Sequence, residues 1–180
     1  SILALGVVAL LAPPLASAAD KVKIGFVSTL SGPSSALGVD IRDGFLLAVK
    51  LRDGKLGGLP ADVLISDDQF KPEVAKQLFE KDIKRDKVDV IVGTVHSGVA
   101  MAMAKAAKES GTVLIVPNAG ADAVTGPMCG PNIFRSSFSN WQPAFAMGEV
   151  AAKREGKKTA MTLTWKYAAG DESVAGFKEG

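Results

Sequence analysis

Short apolar segments alternate with longer amphipathic segments along most of this chain. Lys21–Ser28 is rich in Val and Ile, which predicts a β-strand, whereas Asp40–Leu51 spaces its apolar residues at helical intervals. Connections of this length, each containing a helix, join parallel strands through right-handed βαβ units. The sequence therefore predicts an α/β fold in which a parallel β-sheet is flanked by helices.

The remaining predicted elements continue this alternation. Further strands are predicted over Asp62–Ser66, Val88–Val92, Thr112–Val116, Asn132–Ser136 and Thr159–Thr164, and further helices from Pro72, over Ser97–Ser110, Gln142–Arg154 and Asp171–Glu179. Ala119–Pro131 is predicted to be irregular. Irregular segments of this length are usually functional or linkers, so it is a candidate hinge or domain boundary.

The N-terminal segment has a different composition. An uncharged apolar run from Ile2 to Leu15 ends in Ala16-Ser17-Ala18. The run is shorter than the ~20 residues that span a bilayer, and small-x-small is the cleavage pattern of secretory signals. The sequence predicts a signal peptide over residues 1–18, cleavage before Ala19 and a periplasmic product. A retained anchor and a buried helix are the alternatives, and Pro13-Pro14 argues against the helix.

Charge and cysteine content constrain the partners. All 21 basic and 19 acidic residues follow the leader, so the predicted mature part carries +2 and gives no reason to expect nucleic acid or a membrane surface as a partner. Cys129 is the only cysteine. In an oxidising compartment, it would either pair with a cysteine further along a longer chain or be a buried thiol.

Motifs for catalysis and cofactor binding are absent from the sequence. There is no Gly-x-Gly-x-x-Gly after the first strand, no phosphate-loop lysine and no Gly-x-Ser-x-Gly nucleophile elbow. His96 is the only histidine and cannot assemble a metal site by itself. We therefore expect no cofactor, no metal and no enzymatic activity, and we interpret His96 as a pocket-wall residue rather than a catalytic base.

Candidate ligand-binding residues come from the segments that follow the predicted strands. Ligands of open parallel sheets bind beyond the carboxyl ends of the strands. On this basis, the candidates are Ser31, His96, Ser97, Asn118, Ala119, Gly120, Trp165 and Tyr167.

The Ser97-Gly98 corner is the most specific of these segments. We predict that Ser97 caps the following helix, whose free N–H groups and dipole could bind a carboxylate, with an ordinary N-cap as the alternative. Trp141 and Trp165 could form the wall of an aromatic ligand site or pack between helix and sheet. We interpret Asp67-Asp68 as a solvated turn that caps the next helix.

Several segments, in order, resemble the periplasmic branched-chain amino acid-binding proteins, which are type I solute-binding proteins of ABC importers. They are Val22–Val27 with Ser31-Gly32-Pro33, Val88–Ser97, Val113–Ala119, Ile133–Arg135 and Tyr167–Phe177. The resemblance implies two α/β lobes with the ligand in the cleft between them. Residues 19–137 would then belong to the first lobe and residues 138–180 would begin the second.

The resemblance also implies a function. The family's ligand carboxylate is held at positions matching Ser97 and Asn118–Gly120, although Gly120 lacks the hydroxyl often found there and Gly170 lacks an aromatic ring. The Asn140–Gln142 and Trp165–Asp171 segments look more like relatives that take up aromatic carboxylates. The implied role is to capture a small carboxylate, either an aromatic acid or a branched-chain or hydrophobic amino acid, and deliver it to an ABC permease, as a monomer. A ligand sensor of the same fold and a periplasmic α/β enzyme are the alternatives.

Overall fold

The computed structural model describes residues 20–180. The predicted signal peptide therefore lies outside the described residues. The strands are β1 (Val22–Ser28), β2 (Lys55–Leu56), β3 (Leu59–Asp67), β4 (Val90–Val92), β5 (Val113–Val116) and β6 (Ile133–Arg135). The helices are α1 (Ser35–Lys50), α2 (Pro72–Lys81), α3 (Ser97–Ser110), α4 (Asp122–Thr125), α5 (Trp141–Glu149) and α6 (Ala168–Glu179). Single π-helical turns extend α2 over Asp82–Asp86 and α5 over Val150–Arg154.

One sheet organises the fold, with strand order β2-β3-β1-β4-β5-β6. All neighbouring strands are parallel except β2 and β3, which form an antiparallel pair across Gly57-Gly58. The chain places β3 on one side of β1 and then crosses to place β4 on the other side. This reversal opens a crevice between the carboxyl ends of β1 and β4, where open α/β sheets bind ligands.

The core has two layers because successive side chains of a strand point to opposite faces of the sheet. On one face, Ile24 and Phe26 of β1 pack against Ile41 and Phe45 of α1. On the other face, Val27 lies in a cluster with residues of α2, α3 and α4. The α/β architecture with helices on both faces is thus as predicted.

The predicted strand over Thr159–Thr164 does not form. Residues 159–165 are exposed and have no strand assignment. A strand needs a neighbour for its backbone hydrogen bonds, and none of the described strands pairs with this segment.

Two further predictions need correction. The predicted irregular segment Ala119–Pro131 contains α4, whose first residue is Asp122. Cys129 is exposed, so the buried-thiol alternative is wrong.

None of the helices in residues 20–180 combines the length and apolarity needed to cross a membrane.

Candidate ligand-binding site

A cavity of about 410 Å³ lies at the carboxyl edge of the sheet. Its volume is within the range of small-molecule sites, ~300–1,000 Å³. Five of the eight candidate residues line it, namely His96, Ser97, Asn118, Gly120 and Tyr167. The other lining residues are Pro33, Ser34, Ala36, Leu37, Phe70, Val95, Phe138, Asn140 and Ala169.

The N-terminus of α3 faces this cavity. His96, and not Ser97 as predicted, is the N-cap, because its Nδ1 accepts a hydrogen bond from the Val99 amide at 3.3 Å. Ser97 is the first helical residue and is only 3% exposed. Within residues 20–180, the amides of Ser97 and Gly98 have no hydrogen-bond acceptor. These amides and the helix dipole can bind an anion at the cavity wall.

Gly98 makes room for the ring of His96. A Cβ at position 98 would lie 2.9 Å from His96 Cε1 and 3.1 Å from Nδ1. Any larger residue would push the ring away from the helix and weaken the cap. Gly98 therefore has a role in placing the His96 ring at the start of α3.

Aromatic rings form one wall of the cavity. The His96 ring lies 4.2 Å from the Phe70 ring between centroids, and it stacks on Tyr167 at 5.2 Å with planes 13° apart. Burial lowers the pKa of His96 below its usual value, and the nearby Asp68 carboxylate offsets part of that shift. A neutral ring in this stack suits a flat apolar ligand better than a charged one would.

Asp68 links the strand ends below the cavity through hydrogen bonds. It is fully buried, and its Oδ1 accepts hydrogen bonds from Thr29 Oγ1 at 2.6 Å and from the Phe70 amide at 2.8 Å. Its Oδ2 accepts from Thr94 Oγ1. The prediction of a solvated turn is therefore wrong for Asp68, which links the ends of β1, β3 and β4 and places Phe70.

Asp67 and Ser31 lie outside the cavity wall. Burial raises the pKa of Asp67, but hydrogen bonds from the Ser31 side chain and from the Leu30, Gln69 and Ser31 amides leave it below its usual value. Ser31 is exposed and lines neither cavity described here. The structure thus places Ser31 as support for the Asp67 turn rather than at the predicted ligand-binding position.

Asn140 is the principal cavity residue missing from the sequence-based candidates. Its Nδ2 donates to Ser97 Oγ at 3.2 Å and to Glu172 Oε2 at 2.7 Å, and Glu172 Oε1 accepts from the Asp122 amide at 3.1 Å. This chain of hydrogen bonds joins the start of α3 to α6. Only the resemblance of the Asn140–Gln142 segment to aromatic-acid binders pointed toward it.

Two glycines, Gly120 and Gly170, lie in close contact with neighbouring groups at the site. A Cβ at Gly120 would lie 2.3 Å from Asn140 Oδ1, and one at Gly170 would lie 2.1 Å from the Trp165 carbonyl oxygen. A side chain at 170 would therefore collide with backbone, whereas one at 120 would have to displace the Asn140 amide. The space next to Ser97 is occupied by the Asn140 amide instead.

The remaining candidates lie behind or beside the cavity. Ala119 is buried, donates its amide to the Thr94 carbonyl at 3.0 Å and does not line the cavity. Trp165 is 85% exposed and lines a second, outer cavity of about 340 Å³. Trp141 packs on Phe145 and donates its Nε1–H to Glu179 Oε2 at 2.6 Å, so it joins α5 to α6 and does not form a ligand wall.

Metal binding has no support in this part of the chain. Residues 20–180 contain no group of three His, Cys, Asp or Glu side chains placed to hold an ion. The cavity instead combines an anion-binding helix end with aromatic walls.

A crevice at the strand-order reversal, next to a helix N-terminus, is the arrangement with which open α/β sheets bind small solutes. The sequence profile of the periplasmic binding proteins matches residues 21–180, and the chain belongs to that family. This membership confirms the resemblance found in the sequence. Members of the family and the solved neighbours are substrate-binding transport proteins, and the family implies a periplasmic location.

Similar proteins of known structure or name include solute-binding proteins of ABC transporters. One from R. palustris, in complex with benzoate, is 48% identical with a TM-score of 0.84, covering 88% of this chain and 44% of that one. Another, from Rhodopseudomonas palustris BisB5 with 3,4-dihydroxybenzoic acid, is 32% identical with a TM-score of 0.83, covering 89% and 44%. Leu/Ile/Val-binding protein homolog 6 of Brucella abortus (strain 2308) is 26% identical, covering 91% of this chain and 41% of the relative. The chain thus spans less than half the length of these relatives.

Proposed function

We propose that this chain is part of an extracytoplasmic binding protein that captures a small aromatic carboxylate and delivers it to an ABC permease. The observation that carries the proposal is the pairing of an anion-binding helix end at Ser97 with the rings of Phe70, His96 and Tyr167 in one cavity. Pockets of this kind orient a ligand with a few polar groups and bind it through apolar walls.

The ligand carboxylate would lie at the start of α3. The Ser97 hydroxyl and the amides of Ser97 and Gly98 would donate to it, with backbone near Gly120 on the opposite side. The Asn140 amide would hold the Ser97 oxygen in place. Charge-assisted hydrogen bonds of this type are stronger than neutral ones and fix the orientation of the ligand.

The aromatic ring of the ligand would lie against Phe70, His96 and Tyr167. Rings at centroid distances of ~4.5–7 Å gain ~0.5–1.5 kcal/mol beyond the area that they bury. The complex of a 48%-identical neighbour with benzoate supports this assignment. Branched-chain amino acids are the second candidate, because the curated relatives are named Leu/Ile/Val-binding proteins.

The same proposal extends to the rest of the protein. Residues 1–18 would direct export, residues 19–137 would belong to the first lobe, and residues from 138 onward would begin the second. The whole protein would act as a monomer that closes its lobes on the ligand. A sensor of the same fold would bind the same ligand but would not support its uptake.

Calorimetry on the protein expressed from its complete reading frame tests the ligand class. We expect benzoate to bind with one-to-one stoichiometry and more tightly than leucine. A protein that binds leucine and not benzoate would refute the aromatic assignment and leave the amino acid one. Loss of benzoate uptake on deletion of the gene would separate the transport role from the sensor role.

A further inference from the structure

The outer cavity has a composition that the carboxylate site does not explain. Its lining consists of Ser34, Phe70, His96, Trp165, Lys166 and Tyr167. Four of these six side chains carry rings, and the fifth is a lysine. An aromatic slot that contains a cation is suited to a flat ligand with a negatively charged or strongly accepting group.

Lys166 is available to such a ligand. It is exposed, and it makes no ion pair with any acidic residue in the described part of the chain. Several other lysines near acidic residues are paired, as Lys21 is with Asp62 at 2.6 Å. The Lys166 ammonium can therefore bind a ligand without first giving up a protein partner.

The outer cavity is continuous in its walls with the inner one. Ser34, Phe70, His96 and Tyr167 line both cavities. A ligand whose carboxylate is anchored at Ser97, and whose ring lies on the shared aromatic wall, would direct its far end toward Lys166.

We propose that the outer cavity is a second subsite, in which Lys166 recognises an anionic or strongly accepting group at the distal end of an aromatic acid. Trp165 and Tyr167 flank that group with their rings. This inference rests on the proposed function, because the first carboxylate must lie at Ser97. It narrows the ligand class to aromatic acids that carry a second polar group remote from the carboxylate.

Three probes of graded structure test the subsite in the full-length protein. Benzoate reports the inner site alone, terephthalate adds a distal carboxylate, and monomethyl terephthalate has the same length with a neutral distal end. We expect terephthalate to bind more tightly than its monomethyl ester. Exposed ion pairs contribute modestly, so Lys166→Met should reduce that preference about 2- to 5-fold.

Two control variants accompany the test. Lys166→Arg keeps the charge and should retain the preference for terephthalate. Lys108→Met removes another exposed lysine, near the opposite end of α3, and should leave the preference unchanged. The preference should also decrease with added salt, since exposed charges are screened.

The outcomes separate the two proposals. If the native protein binds benzoate but binds terephthalate and its monomethyl ester equally well, the subsite is overturned and the proposed function stands. The same conclusion follows if Lys166→Met prefers terephthalate over the ester as strongly as the native protein does. Failure of both benzoate and terephthalate to bind would overturn the proposed function and the subsite with it.

Discussion

Ser97 is held at the cavity wall by its neighbours and leaves its hydroxyl proton free to donate. Its Oγ accepts from Asn140, and its own amide is unpaired within the described residues. A buried hydroxyl that already has a donor must direct its proton elsewhere, and the cavity is the direction that a carboxylate would occupy.

Ser97→Ala should weaken binding of an aromatic carboxylate by roughly 10- to 150-fold. The reason is the loss of one charge-assisted hydrogen bond of ~1.5–3 kcal/mol. The free energy of unfolding should fall by only ~0.5–1.5 kcal/mol, since one neutral hydrogen bond to Asn140 is lost. Titration calorimetry and denaturant unfolding measure the two effects. Ser110→Ala, at the other end of α3, is the matched control, and unchanged affinity in Ser97→Ala would remove the site assignment.

His96 should make the stability of the protein depend on pH near neutrality. Burial lowers its pKa in the folded state, so the unfolded state binds the proton more readily. The stability present above the unfolded pKa of ~6.5 should therefore decrease as the pH falls below that value. His96→Asn keeps an N-cap oxygen and removes the titrating ring. The unfolding free energy of this variant, measured from pH 7.5 to 5.5, should fall less than that of the native protein; an equal fall would contradict the prediction.

The ends of β1, β4 and β5 are predictable from the sequence, but not every side chain that lies there is. His96, Ser97 and Tyr167 could be identified from the sequence because they directly follow or precede recognisable elements. Asp68 was misassigned because an Asp-Asp pair after a strand is usually solvated, and only hydrogen bonds from two threonines, which follow β1 and β4, make its burial favourable. Such long-range partners leave no local pattern.

At the scale of elements, β1, α3, β5 and β6 lie at or within two residues of their predicted bounds. Their apolar spacing and their Gly and Pro boundaries are local features. By contrast, α1 begins at Ser35 rather than Asp40 and contains Gly38, where a Cβ would lie 1.8 Å from the carbonyl oxygen of Thr29, the residue after β1. Only a glycine fits at this contact between α1 and the residue after β1, which explains a glycine inside the helix. The sequence alone does not reveal the contact.

The hydrogen bonds of Glu172, which connect α6 to the cavity, predict effects of opposite sign on ligand binding and on the free energy of unfolding. Glu172 accepts hydrogen bonds from Asn140 and from the Asp122 amide, and it also places a negative charge near the candidate carboxylate site. Glu172→Gln should lower the unfolding free energy by about 1 kcal/mol, since an amide can replace only one of the two acceptor oxygens. The same variant should bind benzoate a few-fold more tightly, because ~0.5–1 kcal/mol of charge repulsion is removed.

Calorimetry and thermal unfolding of Glu172→Gln measure these two changes. Glu179→Gln is a suitable control, since it removes a carboxylate from the same helix, keeps an oxygen that can accept from Trp141 Nε1 and leaves the charge at the cavity unchanged. Weaker benzoate binding in Glu172→Gln would contradict the predicted gain in affinity. It would show that Glu172 contributes more by positioning Asn140 and Ser97 than it costs by repelling the ligand carboxylate.

At the scale of the whole molecule, the described residues form a well-packed sheet with a cavity at its carboxyl edge. The segment around Thr159–Thr164 presents Met161 and Leu163 at 95% and 97% exposure, with Trp165 beyond them. Exposed apolar residues in such a row are typical of a surface that another element covers. Because the chain spans less than half of its relatives, we propose that further residues of the protein cover this segment and complete the cleft.

Residues 20–180 on their own should therefore bind benzoate much more weakly than the full-length protein. The inner cavity would keep Ser97 and the rings of Phe70, His96 and Tyr167, but it would lack the opposing wall that excludes water and closes on the ligand. The isolated segment should also bind a hydrophobic dye through the exposed row at Met161 and Leu163, whereas the full-length protein should not. Calorimetry and dye fluorescence on both forms measure these differences. Equal affinity in the two forms would place the complete ligand site within residues 20–180 and rule out a second lobe as part of it.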